Sequence, residues 1–107
     1  MSKSIQTVLE LAAAVSLAGA LSFAQSSGEA VYKAHCQSCH GPAGIPNPGI
    51  AKILGVMPAN SPAMKKLTEA EMMAVVKNGK GKMHPIHGLS DAQVKAVVLY
   101  FRSLGKK

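Results

Sequence analysis

The chain holds only two cysteines, three positions apart and followed at once by a histidine, in the stretch Cys36-Gln37-Ser38-Cys39-His40. Two thiols at that spacing lie on one side of a helical turn, so each can add to one of the two vinyl groups on an edge of a porphyrin. The imidazole that comes next projects toward the face of the ring, where a neutral nitrogen can bind iron. C-x-x-C-H is thus the spacing of c-type haem attachment, with Cys36 and Cys39 as thioether anchors and His40 as the proximal iron ligand. A thioredoxin-like redox pair is a second use of C-x-x-C, but it belongs on a βαβ scaffold that the sequence does not show. A structural zinc site needs a further ligand pair, and the chain has no other C-x-x-C and no H-x-x-x-H. A plain disulfide would close too small a loop to stabilise much.

A haem bound on one face leaves a sixth coordination position to fill. The glycine-rich stretch from Lys77 to Leu89 presents one thioether, Met83, and two imidazoles, His84 and His87. A soft methionine sulfur favours reduced iron and raises the potential, which suits an electron carrier. Met83 is the first candidate, His84 and His87 the second, and Met57 or Met64, in an earlier loop, the third. If His84 and His87 do not bind iron, they are solvated loop residues near the haem edge.

These residues need elements to hold them. The spacing predicts a short helix from about Ser27 to Cys36, with Ser27 as N-cap and Glu29 in the first turn, running straight into the motif. Gly41 to Gly49 holds three prolines and three glycines and reads as a loop along one side of the haem. Ile50 to Val56 is expected to form one or two helical turns, and Met57 to Pro62 another loop. Thr68-Glu69-Ala70-Glu71 and Ser90-Asp91-Ala92-Gln93 are capping boxes that open two amphipathic helices. The first carries Met72, Met73, Val75 and Val76 and ends at a left-handed Asn78-Gly79 cap. The second carries Val94, Val97, Val98, Phe101 and Leu104 at helical spacing. Met72 and Met73 are expected as packing residues that fill gaps, and His35 has no assigned role. No strand and no internal repeat is evident, so the fold class is all-α, with three to four helices around one covalently attached haem.

Residues 1–24 read as a signal peptide. Lys3 gives a positive start, Leu11 to Ala24 an apolar run, and Ser22-Phe23-Ala24 a cleavage site after Ala24. That run has 14 residues, short of the roughly 18 expected of a membrane span; an uncleaved anchor is the other reading. The expected location is the periplasm. Residues 25–107 then form one small domain, a length that usually needs a staple such as a disulfide, metal or cofactor. With two Phe, two Tyr and no Trp, the polypeptide is poor in large core residues, as suits a core whose largest apolar object is not an amino acid.

A helix ending in Asn78-Gly79-Lys80-Gly81-Lys82-Met83-His84-Pro85, then Gly88-Leu89-Ser90-Asp91 and a terminal helix, taken with the C-x-x-C-H motif, resembles the class I monohaem c-type cytochromes. The similarity is greatest to the small bacterial c5/c6/c-555-like group and covers nearly all of Gly28 to Leu104. It implies that Met83 is the distal iron ligand. It also implies that the first and last helices cross at Gly28, with Tyr32 against Tyr100 or Phe101. A proline carbonyl is expected to accept the ring N–H of His40, with Pro48 the better candidate and Pro46 the other. The family more often has Met followed directly by Pro, whereas here His84 intervenes and His87 occupies a later position usually held by an aromatic residue.

Lysines and arginine exceed acidic residues, and the net charge is +7 with or without the first 24 residues, since their loss removes one Lys and one Glu. Lys77, Lys80 and Lys82 crowd beside the proposed ligand loop, so a basic rim would steer the protein onto acidic docking patches of redox partners. The other reading of this charge is general solubility. Nucleic acid is a poor partner for an exported chain that lacks an aromatic-basic stacking surface. The expected function is outer-sphere electron transfer by a monomeric, non-enzymatic carrier holding one haem c and its iron. The alternatives are a haem enzyme or gas-binding protein with a labile distal ligand, and a periplasmic copper-binding module built from Met83, His84, His87 and the thiols.

Overall fold

A computed structural model describes residues 27–107, so the expected signal peptide and its cleavage site lie outside the described residues. Among the described residues the chain is helical, with no strand. In chain order it forms α1 over residues 27–35, α2 Gln37–His40, α3 Pro48–Leu54, α4 Pro62–Lys66, α5 Glu69–Asn78 and α6 Asp91–Leu104. The expectation of three to four helices in an all-α fold is met by α1, α3, α5 and α6. The short α2 and α4 are additions: α2 is the C-x-x-C-H turn itself, and α4 follows Ser61, whose hydroxyl accepts from the Met64 amide ahead of Pro62 at the first helical position.

Local chemistry explains most boundaries. Thr68 and Ser90 both complete capping boxes, each accepting from the backbone of the third helical residue while Glu71 or Gln93 reaches back to the cap amide. α5 ends where Gly79 turns to a φ of +77°. Asn47 caps α3 by accepting from the Gly49 amide, so Pro48, expected to end a loop, instead opens a helix. Ser27 is itself helical and is not the cap expected there.

Packing begins where α1 crosses α6. A Cβ placed on Gly28 would stand 2.5 Å from the Ala96 carbonyl oxygen and 3.3 Å from Tyr100 Cβ, so the two backbones approach as only glycine permits. Tyr32, one turn along, is 1 % exposed and lies against Tyr100 and Phe101, with ring centroids 5.2 and 6.3 Å apart. The crossing expected from the family resemblance is therefore present. Around it gather Val31, Ala59, Val97 and Leu104. A second apolar cluster joins Met72 and Val76 of α5 to Val94 and Val98 of α6, with Met73 packed at its edge, as expected of the two methionines. Leu89 and Phe101 touch both clusters. By contrast α3 and α4 bury no residue at all.

Gly28→Ala tests the crossing. The added methyl group forces α1 and α6 apart, and overpacking of this kind costs about 1–3 kcal/mol. Denaturant unfolding should show a lowered midpoint with unchanged slope.

Candidate functional site

The C-x-x-C-H residues are held at both ends. The backbone of α1 continues to Cys36, whose amide donates to the Tyr32 carbonyl at 2.9 Å, and the His40 amide returns to the Cys36 carbonyl at 2.9 Å. Immediately after His40, Gly41 takes a φ of +83°, and a Cβ there would fall 1.9 Å from the Ile45 carbonyl oxygen. The chain can reverse at this point only because the residue is glycine. The Gly41 carbonyl accepts twice, from the Tyr32 hydroxyl at 2.5 Å and from the Gly44 amide at 3.2 Å. A side chain buried at the α1–α6 crossing thus fastens the exit of the motif.

Cys36 and Cys39 are not joined by a disulfide, and both are half-buried. Burial, with the neighbouring Cys39 adding to it, pushes the Cys36 thiol up to about 11. Burial also lowers the pKa of His40, so the imidazole is kept neutral, the form with a lone pair to give. Its Nδ1 is buried and has no hydrogen-bond partner. Neither Pro46 nor Pro48 accepts its N–H, contrary to the expectation: Pro48 is exposed and taken up as the first residue of α3. What orients the ring is Phe101, which meets it edge-on with centroids 5.2 Å apart and planes at 69°.

Of the distal candidates, Met83 is half-buried and packs against the α5–α6 cluster, while His84 and His87 are exposed. Lys80 and Met83 exchange backbone hydrogen bonds of 2.9 and 3.0 Å, and the Ile86 amide donates to the Val76 carbonyl on α5 at 2.9 Å. Met57 is 41 % exposed, and Met64, half-buried on α4, belongs to neither apolar cluster. Among the described residues no three His, Cys, Asp or Glu side chains gather as a metal-binding group. The zinc and copper readings thus find no ligand cluster built from those residue types.

The candidate residues offer a tethering turn, a half-buried imidazole whose buried Nδ1 has no hydrogen-bond partner, and a thioether packed against an apolar cluster. Leaving a buried polar atom unpaired costs about 1–3 kcal/mol, and such an atom in a native fold calls for a reason. An imidazole held for a metal supplies one, and the paired thiols beside it fit a porphyrin edge. This constellation on a small all-α scaffold defines a monohaem c-type cytochrome domain.

A protein-family model described as cytochrome c oxidase, cbb3-type, subunit III matches residues 23–101, and the chain belongs to that family. No curated protein matches the chain. The cytochrome c domain carries covalently bound haem c with its iron, and its activity is haem-based electron transfer. Domains of this kind are generally electron carriers and are typically exported or membrane-associated. No helix among the described residues is long and apolar enough to cross a membrane.

Three contacts of the site were not legible beforehand: Phe101 against His40, Tyr32 on the Gly41 carbonyl, and Lys82 on the Ile53 carbonyl at 2.7 Å. Helical periodicity places Phe101 on the core face and the family resemblance pairs it with Tyr32, but neither signals the imidazole.

Burial, with Cys36 and Tyr100 adding to it, pushes the Tyr32 hydroxyl up from 10.0 to about 12. An acid whose folded pKa is raised gives stability that is full below its unfolded pKa and lost as pH climbs through the folded one. The window here runs from pH 10 to about 12. Tyr32→Phe should cost about 1 kcal/mol at neutral pH through the lost hydrogen bond. Denaturant midpoints collected across the alkaline window should fall less steeply in the variant than in the parent.

Proposed function

We propose that the chain is a periplasmic one-electron carrier in which Cys36 and Cys39 tether the haem, His40 is the proximal ligand and Met83 the distal one. The observation that carries the ligand assignment is the contrast in the loop after α5: Met83 is half-buried against the apolar cluster while its rivals His84 and His87 are exposed. When bound, the haem supplies a one-electron ferric/ferrous couple.

The remaining work falls to the polypeptide. His40, kept neutral by burial and seated on Phe101, offers a nitrogen without first losing a proton. Met83 offers a soft sulfur, which favours the reduced state. Met72, Val76, Val94 and Val98 exclude water from the Met83 side. With His40 and Met83 both holding the iron, no position would be left for a substrate, and transfer would be outer-sphere.

Partners are proposed from charge. The four acidic residues of the described chain are all engaged: Glu29 with Lys33, Asp91 with Lys77, Glu69 with Lys95, and Glu71 in its capping box. Lys52, Lys65, Lys66, Lys80 and Lys82 form no ion pair among the described residues. They lie on α3, α4 and the ligand loop, and all five are exposed; Ile53, next to Lys52 in the chain and accepting from Lys82 through its carbonyl, is 66 % exposed. An acidic docking patch complements this unpaired positive charge, and a basic rim raises encounter rates in a salt-dependent way.

The ligand assignment is checked by absorption spectra of the purified protein in both oxidation states. A ferric Met-to-iron charge-transfer band is expected, lost in Met83→Ala and kept in His84→Ala, His87→Ala, Met57→Ala and Met64→Ala. Rapid carbon monoxide binding by the reduced parent would favour an open-site haem protein instead.

The charge reading has its own check. Transfer to an acidic partner should slow as ionic strength rises. Lys52→Glu with Lys66→Glu should cut the second-order rate about tenfold at low salt, and parent and variant should converge at high salt.

A further inference from the structure

We propose that Lys82 is a positioning residue whose ammonium straps the Met83 loop to the end of α3 and so holds the thioether in place. This rests on the assignment of Met83 as distal ligand.

The Lys82 ammonium donates to the Ile53 carbonyl at 2.7 Å, across 29 residues of sequence. Apart from the ion pairs Lys77–Asp91 and Lys95–Glu69, which join α5 to α6, every other side-chain hydrogen bond among the described residues joins partners nine or fewer positions apart. Its acceptor lies in the last turn of α3, where carbonyls lack helical partners and a cation is favoured by the helix dipole. The Gly55 amide takes the Ala51 carbonyl, and the lysine takes that of Ile53. A compact ammonium on a long stem suits this role, since it reaches a single oxygen and its three protons rotate to meet it.

Two features make the contact matter more than an ordinary exposed hydrogen bond. First, α3 buries no side chain, and among the described residues no other element sends it a hydrogen bond. Second, on its other side the loop is held to α5 by one backbone hydrogen bond among the described residues, Ile86 to Val76, and by the packing of Met83 and Ile86 on the α5–α6 cluster, the Lys80–Met83 bridge being internal to the loop. Met83 therefore lies between an anchor on α5 and an anchor on α3, with Lys82, its immediate neighbour, as the second. Freed of that second anchor, the loop can swing away from the site about its α5 attachment.

The test uses the holoprotein and the affinity of the ferric form for added imidazole, which competes with the distal ligand. Lys82→Met keeps the stem and removes the donor; Lys80→Met removes one charge from the same loop without touching α3; Lys82→Arg restores a charged donor. Imidazole affinity should rise about tenfold in Lys82→Met, equivalent to about 1.4 kcal/mol, and stay within about twofold of the parent in the other two. Amide exchange at Met83 should quicken by a similar factor while α6 amides keep their protection. Equal shifts in Lys82→Met and Lys80→Met would reduce the effect to charge and overturn the strap, as would a general loss of protection or an unchanged affinity in Lys82→Met. A parent without the charge-transfer band overturns the ligand assignment and the strap together; with the band present, an unchanged affinity removes the strap alone.

Discussion

The approach of two backbones at Gly28 and Ala96 sets the geometry from which the rest of the domain follows. Because no side chain separates α1 from α6 there, Tyr32 enters the interior one turn later and meets Tyr100 and Phe101. Its hydroxyl then reaches the Gly41 carbonyl, and Phe101 is left with an edge for His40. The crossing thus fixes the α1 backbone that leads into Cys36, the ring that seats the imidazole, and the reversal just beyond it. Widening the crossing would disturb all three.

From that frame the apolar interior divides into two parts, one around α1 and α6 and one between α5 and α6, which share Leu89 and Phe101. The proximal candidate touches the shared Phe101, and the distal candidate packs on the second part. A chain of two Phe, two Tyr and no Trp has little bulk with which to fill more than this. That shortage agrees with a fold whose helices α3 and α4 bury none of their own side chains. A covalently bound cofactor suits such a domain, because small chains lacking an adequate core need a staple.

What could be read in the sequence follows the range of the interaction. The C-x-x-C-H turn and the capping boxes at Thr68 and Ser90 join residues three or four positions apart, so their chemistry is visible in a short window. The Gly28 crossing came from family resemblance, not from any local pattern. Pro48 illustrates the failure of a local rule: a proline after several loop residues reads as more loop, yet with Asn47 in front it is a first helical residue. The expected acceptor for His40 was misplaced for the same reason. Phe101 on His40 and Lys82 on Ile53 depend on where distant segments come to rest, and no spacing rule carries that information.

The segment between Gly44 and Ala59 is pinned at its stem by a hydrogen bond from the Ala59 amide to the Gly44 carbonyl at 2.8 Å. Both stem residues are buried, and a Cβ on Gly44 would come within 3.1 Å of Leu104. Between them the chain carries α3, Lys52, Ile53 and Met57, with Pro46 the only buried residue. Closing a longer flexible loop on the same stem costs only about 0.6 kcal/mol per doubling of its length. This arm is therefore where a family of such domains can gain or lose residues at little thermodynamic cost. Its surface can diverge, in length as well as in composition, while the stem and the crossing beneath it stay as they are.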